Sequence, residues 1–253
     1  MNQEKAILGC RKGDDALLYL YGLIFLLFAL LALVAPAASG FRRVSCWLAL
    51  ILGFGLYIGI VQVQTPLQNK LYGLLATGGA TWLILLASAI LGGLLQEGVK
   101  MLVIWGGSFG LARRDLLSAG AFLGAGFVLG ESFWILYSLA ADIANFYPSL
   151  TFGQFLSDFS PLLIERAILI LVNLSLAFLL AYGLLQRKTL TYFLAVFALH
   201  SALAFASLMR QSIGLSLTWT LIILGLLALL LYAYTISISR RELATTRQVV
   251  PFR

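Results

Sequence analysis

Seven times between residues 16 and 239 the chain runs through a largely uncharged apolar stretch of about 20 residues or more. A helix of about 20 residues spans the ~30 Å hydrocarbon core of a bilayer. The stretches are 16–41, 44–69, 71–96, 116–141, 161–186, 189–209 and 211–239. The third continues past Glu97 and Lys100 into 101–112. Composition supports the same reading: 61% of residues are hydrophobic and 11% charged, whereas soluble domains carry about a quarter charged residues. With a mean hydropathy of +0.99, a globule this small has too little polar residue to cover its own surface. The solvent is lipid. The expected fold class is all-α, a polytopic bundle of about seven transmembrane helices forming one integral membrane domain over residues 1–253.

The net charge of +7 does not mark a nucleic-acid binder, because the basic residues punctuate apolar segments instead of forming a stripe. They read as topological signals. Arg42, Arg43, Arg113, Arg114, Arg187, Lys188 and the tail arginines fall on one side, against Lys5, Arg11, Lys12, Lys70 and Arg210 on the other. The positive-inside rule then expects the C-terminus in the cytoplasm and the N-terminus outside, in the cell membrane. Cys10 and Cys46 give no disulfide framework and no metal spacing. The first apolar run lacks a cleavage site and reads as a retained helix, not a removed signal peptide. Taken as one helix, residues 71–110 would be roughly 60 Å long. Either it extends well past the bilayer, or it bends near Gly92-Gly93 or Gly106-Gly107.

Ionisable groups at membrane depth are costly and therefore the first functional candidates. Glu97 and Lys100 lie three residues apart on one helix face, which fits a simple ion pair equally well. Glu131 ends a glycine-rich run in which Gly120 and Gly124, and Gly126 and Gly130, form small-xxx-small rows. It has no basic neighbour on its own helix and needs a partner from another one, expected to carry His200 or Lys100. Glu165-Arg166 follows Pro161, the expected start of the fifth helix, and reads by itself as a pair at the interface. Asn173 lies two turns beyond Arg166. His200, the sole histidine, lies in mid-span of the sixth helix.

Two carboxylates and a histidine on three helices can hold and deprotonate a water for attack on a carbonyl. A zinc set of one His and two Glu is chemically conceivable, but no zincin spacing is present, and no cofactor is expected. A proton-coupled transporter using Glu131 and His200 is disfavoured by an odd helix number without paired halves.

These residues, in this order, resemble the superfamily of intramembrane proteases that includes the PrsW, YhfC and CAAX-processing families. The resemblance covers roughly residues 90–210. Gln96-Glu97-Gly98-Val99-Lys100 is similar to the paired-glutamate motif, and Phe127-Val128-Leu129-Gly130-Glu131 matches the second motif. Glu165-Arg166 to Asn173 resembles the third, and His200 to Ala204 the fourth. The scaffold subunit of gamma-secretase is more distantly similar. The resemblance implies a protease-like core over about 71–239 and peptide-bond hydrolysis on transmembrane or membrane-anchored protein substrates. Glu97, Glu131 and His200 would be catalytic, supported by Gln96, Lys100, Asn173, Arg166 and Glu165. The chain departs from the pattern at Gln96, Asn173 and Ala204, where the family carries Glu, His and Asp or Asn. Gln96 takes no proton, and Asn173 donates a hydrogen bond but is no base. A catalytically silent, partner-binding scaffold is the alternative that these departures imply. The polar residues are expected to line one conical cavity open toward the cytoplasmic side, with the first and last helices peripheral.

Overall fold

The structure, a computed structural model, describes residues 22–75, 81–146, 152–213 and 216–248. The described residues are almost wholly helical. Seven helices are long and apolar enough to cross a membrane, and the protein is an all-α integral membrane protein. The first span, α1, is Gly22–Arg42 and closes in a 3-10 turn over Ala38–Arg42. The others are α2 (Val44–Leu75), α3 (Thr81–Gly107), α4 (Arg113–Phe146), α5 (Phe152–Leu185), α6 (Thr189–Ile213) and α7 (Leu217–Gln248). The start of the first apolar run, residues 16–21, lies outside the described residues, as does Cys10.

Three boundaries differ from the sequence reading. Residues 71–110 are not one long helix, because α2 keeps residues 71–75 and α3 starts at Thr81. The sequence between them contains Gly78 and Gly79, which favour helix poorly. Gly92-Gly93 does not interrupt α3, which ends at Gly107. Pro161 lies inside α5 instead of opening it. In a bilayer, neighbouring helices and local adjustment satisfy the backbone groups that proline frees, so the helix continues.

Glycine sets the packing. A Cβ at Gly124 would meet the Asn173 carbonyl, and one at Gly120 would lie 3.0 Å from the Ala177 carbonyl. This row presses α4 against α5. The second row faces the other way: Cβ atoms at Gly126 and Gly130 would meet the carbonyls of Leu50 and Phe54 on α2. With no hydrophobic drive between helices in lipid, such close backbone approach supplies the van der Waals contact that holds them. Consequently α4 and α5 are the bundle's centre, with 72% and 67% of their most apolar windows buried, against 11% in α6. The most exposed span is therefore α6 and neither end helix. α1 buries Phe25, Ala29 and Leu33 and is tied to α7 by Tyr232 Oη donating to the Ala32 carbonyl at 2.5 Å and Ser239 Oγ to that of Pro36 at 2.6 Å.

One end of the bundle gathers the basic connections. Arg43 pairs with Asp115 in the first turn of α4. Glu242 of α7 accepts from Arg113 at 3.2 Å and from Gln186 at 3.2 Å. Arg187, between α5 and α6, adopts a left-handed φ of 57° while Lys188 N–H caps the Gly183 carbonyl at 2.9 Å. This basic end fixes a direction for depth along every helix.

Candidate functional site

Glu97, Lys100, Asn173 and His200 meet in mid-bundle. At 1.5 Å per residue from the basic ends of their helices, Glu97, Asn173 and His200 lie roughly 15–18 Å deep. Glu97 and Lys100 are fully buried. Lys100 Nζ donates to Glu97 Oε1 at 2.6 Å and to Asn173 Oδ1 at 2.8 Å, and stands 4.5 Å from the centroid of the Phe127 ring. His200 Nδ1 lies 2.5 Å from the same Glu97 Oε1. A carboxylate paired with an ammonium accepts, so Nδ1 carries the hydrogen, and in the neutral imidazole Nε2 has the lone pair. Asn173 Nδ2 donates to the Leu169 carbonyl of its own helix at 3.1 Å.

The approach of α6 to α3 rests on Gly93, one turn before Glu97. A Cβ there would collide with Ser201 Oγ and lie 3.5 Å from the Phe197 ring. Residues 93 and 97 share one helix face, and Ser201 and His200 are neighbours. The glycine therefore sets the distance at which carboxylate and imidazole meet.

A second polar group lies roughly 27–32 Å from the basic end. Arg166, buried despite its charge, holds Glu131 Oε1 at 3.0 Å and Glu165 Oε1 at 3.2 Å. Arg210 Nη2 stands 3.9 Å from Glu165 Oε2. Glu131 thus finds its cation on α5, not on the helices of His200 or Lys100 as expected. The Glu165-Arg166 pair is no snorkelling surface pair, because Arg166 points inward and bridges two helices.

Between the two groups lies a cavity of about 250 Å³. Gln96, Glu131, Glu165, Arg166, Asn173 and His200 line it. Glu97 and Lys100 do not; they stand behind His200 and Asn173. The cavity reaches Gln68 and Ser88, roughly 28–36 Å from the basic end. It thus occupies the half of the bundle away from the basic loops, opposite to the side expected. The reason is that the polar lining residues Gln64, Gln68, Ser88 and Ser207 fall toward the ends of α2, α3 and α6 remote from those loops. Ala204, at the fourth motif's last position, lines the cavity as a methyl group without a polar atom.

Sequence reasoning passed over Gln64, Gln68 and Ser88, which complete the cavity wall. Gln96 Nε2 donates to Gln64 Oε1 at 3.1 Å, and Gln68 Nε2 to the Ser88 carbonyl at 3.4 Å. Two amides four residues apart within an apolar span were the available signal. Arg210, counted only as a topological charge, also belongs to the site. Among the described residues no three His, Cys, Asp or Glu side chains converge as a metal set. Comparison with family models, with curated proteins and with solved structures finds no match to this chain.

Proposed function

We propose that the protein is an intramembrane endopeptidase that hydrolyses peptide bonds of membrane-embedded protein substrates. The observation that carries this reading is the 2.5 Å contact of Glu97 with His200 beside a polar cavity at membrane depth. Glu97 orients the imidazole and fixes its tautomer. His200 Nε2 then takes a proton from water as the hydroxide oxygen attacks the scissile carbonyl carbon. The tetrahedral oxyanion is met by the Asn173 Nδ2 hydrogen that Leu169 leaves free, and Arg166 supplies positive charge from farther along the cavity. Collapse breaks the C–N bond, and the imidazolium returns its proton to the leaving amine. Lys100 neutralises Glu97, and its ammonium is itself held by Asn173 and Phe127. Glu131 keeps Arg166 in place from across the cavity. This assignment makes His200 the base and Glu97 its positioning partner, whereas the resemblance to the PrsW and YhfC families suggests Glu97 or Glu131 as base and His200 as acid or oxyanion donor. We place the protein in the cell membrane, its basic end in the cytoplasm by the positive-inside rule, and its C-terminus there too. The cavity then faces the non-cytoplasmic half.

A second reading, a silent scaffold that binds a transmembrane partner, is favoured by one observation: Glu97, Glu131 and Glu165 each already contact a cation. Purified protein in lipid vesicles, given a library of fluorescent transmembrane peptides, separates the two. Cleavage by the parent, reduced at least ~10²-fold by Glu97→Gln, Glu131→Gln and His200→Ala, supports the peptidase. Equal cleavage by parent and variants removes the site assignment. A silent parent that stays silent in Gln96→Glu with Asn173→His supports the scaffold.

A further inference from the structure

The cavity wall contributed by α2 has no part in the chemistry described above. Gln64 and Gln68 lie one turn apart on that helix, both half-buried, while Gln62 points outward and is exposed. The contact of α2 with α4 is made elsewhere, through Gly53 and the carbonyls of Leu50 and Phe54. Gly92 on α3 leaves room for the amides: a Cβ there would lie 3.1 Å from Gln64 Nε2 and 4.0 Å from Gln68 Nε2. Each glutamine spends one end on α3, Gln64 Oε1 on Gln96 and Gln68 Nε2 on the Ser88 carbonyl. Gln64 Nε2, Gln68 Oε1 and Gln96 Oε1 are left for the cavity. One donor and one acceptor thus stand roughly 6 Å apart along α2, with the Gln96 acceptor beside Gln64 on α3.

A carbonyl inside a transmembrane helix is bonded to the N–H four residues on and shielded by its neighbours. Attack on it requires local unwinding, which frees N–H and C=O groups that cannot be left bare in hydrocarbon. Side-chain amides offer both a donor and an acceptor and so can replace the lost bonds. We infer that Gln64 and Gln68, with Gln96, form the surface that takes up the backbone of an unwound substrate segment, an inference that rests on the peptidase reading. Because amides meet backbone and not side chains, selection is for segments that unwind cheaply, containing Gly, Asn, Ser or Pro. Ile168, Leu169, Leu203 and Leu224 give the substrate side chains an apolar surface beside the charged groups of the lining.

The test uses the full chain carrying His200→Ala, so that bound peptide stays intact, in phosphatidylcholine vesicles. Two fluorescent peptides of about 24 residues are compared: an uninterrupted Leu/Ala helix, and the same helix with an Asn-Gly-Ser-Pro segment inserted. The interrupted peptide should bind about tenfold tighter, the scale of one or two hydrogen bonds. Gln64→Leu with Gln68→Leu should abolish that preference, and Gln62→Leu should keep it. Gly92→Ala, which crowds Gln64 without removing it, should reduce the preference in part. Equal binding of the two peptides, no binding of either, or a preference that survives the double substitution overturns the inference. With His200 restored, a Gln-dependent preference without cleavage removes the peptidase reading and leaves the wall standing. Cleavage at unchanged kcat/KM in the double variant removes the wall and leaves the peptidase. Unchanged elution and tryptophan fluorescence verify that each variant is folded.

Discussion

Glu97 Oε1 on α3 receives both the Lys100 ammonium at 2.6 Å and the His200 Nδ1 at 2.5 Å, across 103 residues of chain. Both contacts fall on one oxygen, in a place with no exposure to the cavity or to lipid. The carboxylate is therefore a fixed element behind the imidazole, and its charge and that of Lys100 depend on each other.

That dependence is measurable. Glu97→Gln leaves Lys100 as a buried cation without its counter-charge, and a broken buried pair costs about 3–5 kcal/mol. Adding Lys100→Met should recover most of the loss, since both charges are then gone. Unfolding of parent, single and double variants in detergent gives the coupling. Losses that simply add would show that the pair is not a unit.

Gly93 should control the α3–α6 distance. Gly93→Val drives a side chain into Ser201 Oγ and Phe197, at about 1–3 kcal/mol for overpacking, and should part Glu97 from His200. Gly98 has open space around it, so Gly98→Ala should be neutral or gain up to about 1 kcal/mol from helix propensity. Thermal stability of the two variants, with an imidazole NMR signal to report on His200, tests the contrast. Similar behaviour of both would remove Gly93 from this role.

Arg187 carries a left-handed φ of 57° without being glycine. Arg187→Gly should relieve roughly 0.5–1 kcal/mol of backbone cost and raise the melting temperature in detergent. A fall would mean that the arginine side chain contributes more than its backbone costs.

The cavity's side can be read by labelling. With Cys10 and Cys46 replaced by serine, Gln68→Cys and Ser207→Cys should react with a membrane-impermeant maleimide from the side opposite the basic loops. Arg43→Cys should react only from the basic side. Labelling of the cavity positions from the basic side would reverse its assignment.

Membrane residence and the all-helical class were legible in the chain alone, because spans of about 20 apolar residues have one solution in lipid, where every backbone group must be bonded internally. The two glycine rows on α4 were equally legible, since spacing of four puts residues on one face. Helix ends were less so: that α5 runs through Pro161 depends on which neighbours satisfy the backbone there. The site was legible in kind and not in arrangement. Glu97, Glu131, Asn173 and His200 stood out as polar groups at depth, yet nothing in their order says that Glu131 pairs with Arg166 or that Glu97 sits behind His200. Those pairings come from how close α3 can approach α6 at Gly93 and how close α4 can approach α5 at Gly124. Gln64 and Gln68 remained unmarked until α2 met α3, because an amide in a helix becomes part of a cavity only through the helix that faces it. Periodicity assigns a residue to a face; only packing between helices decides what that face meets.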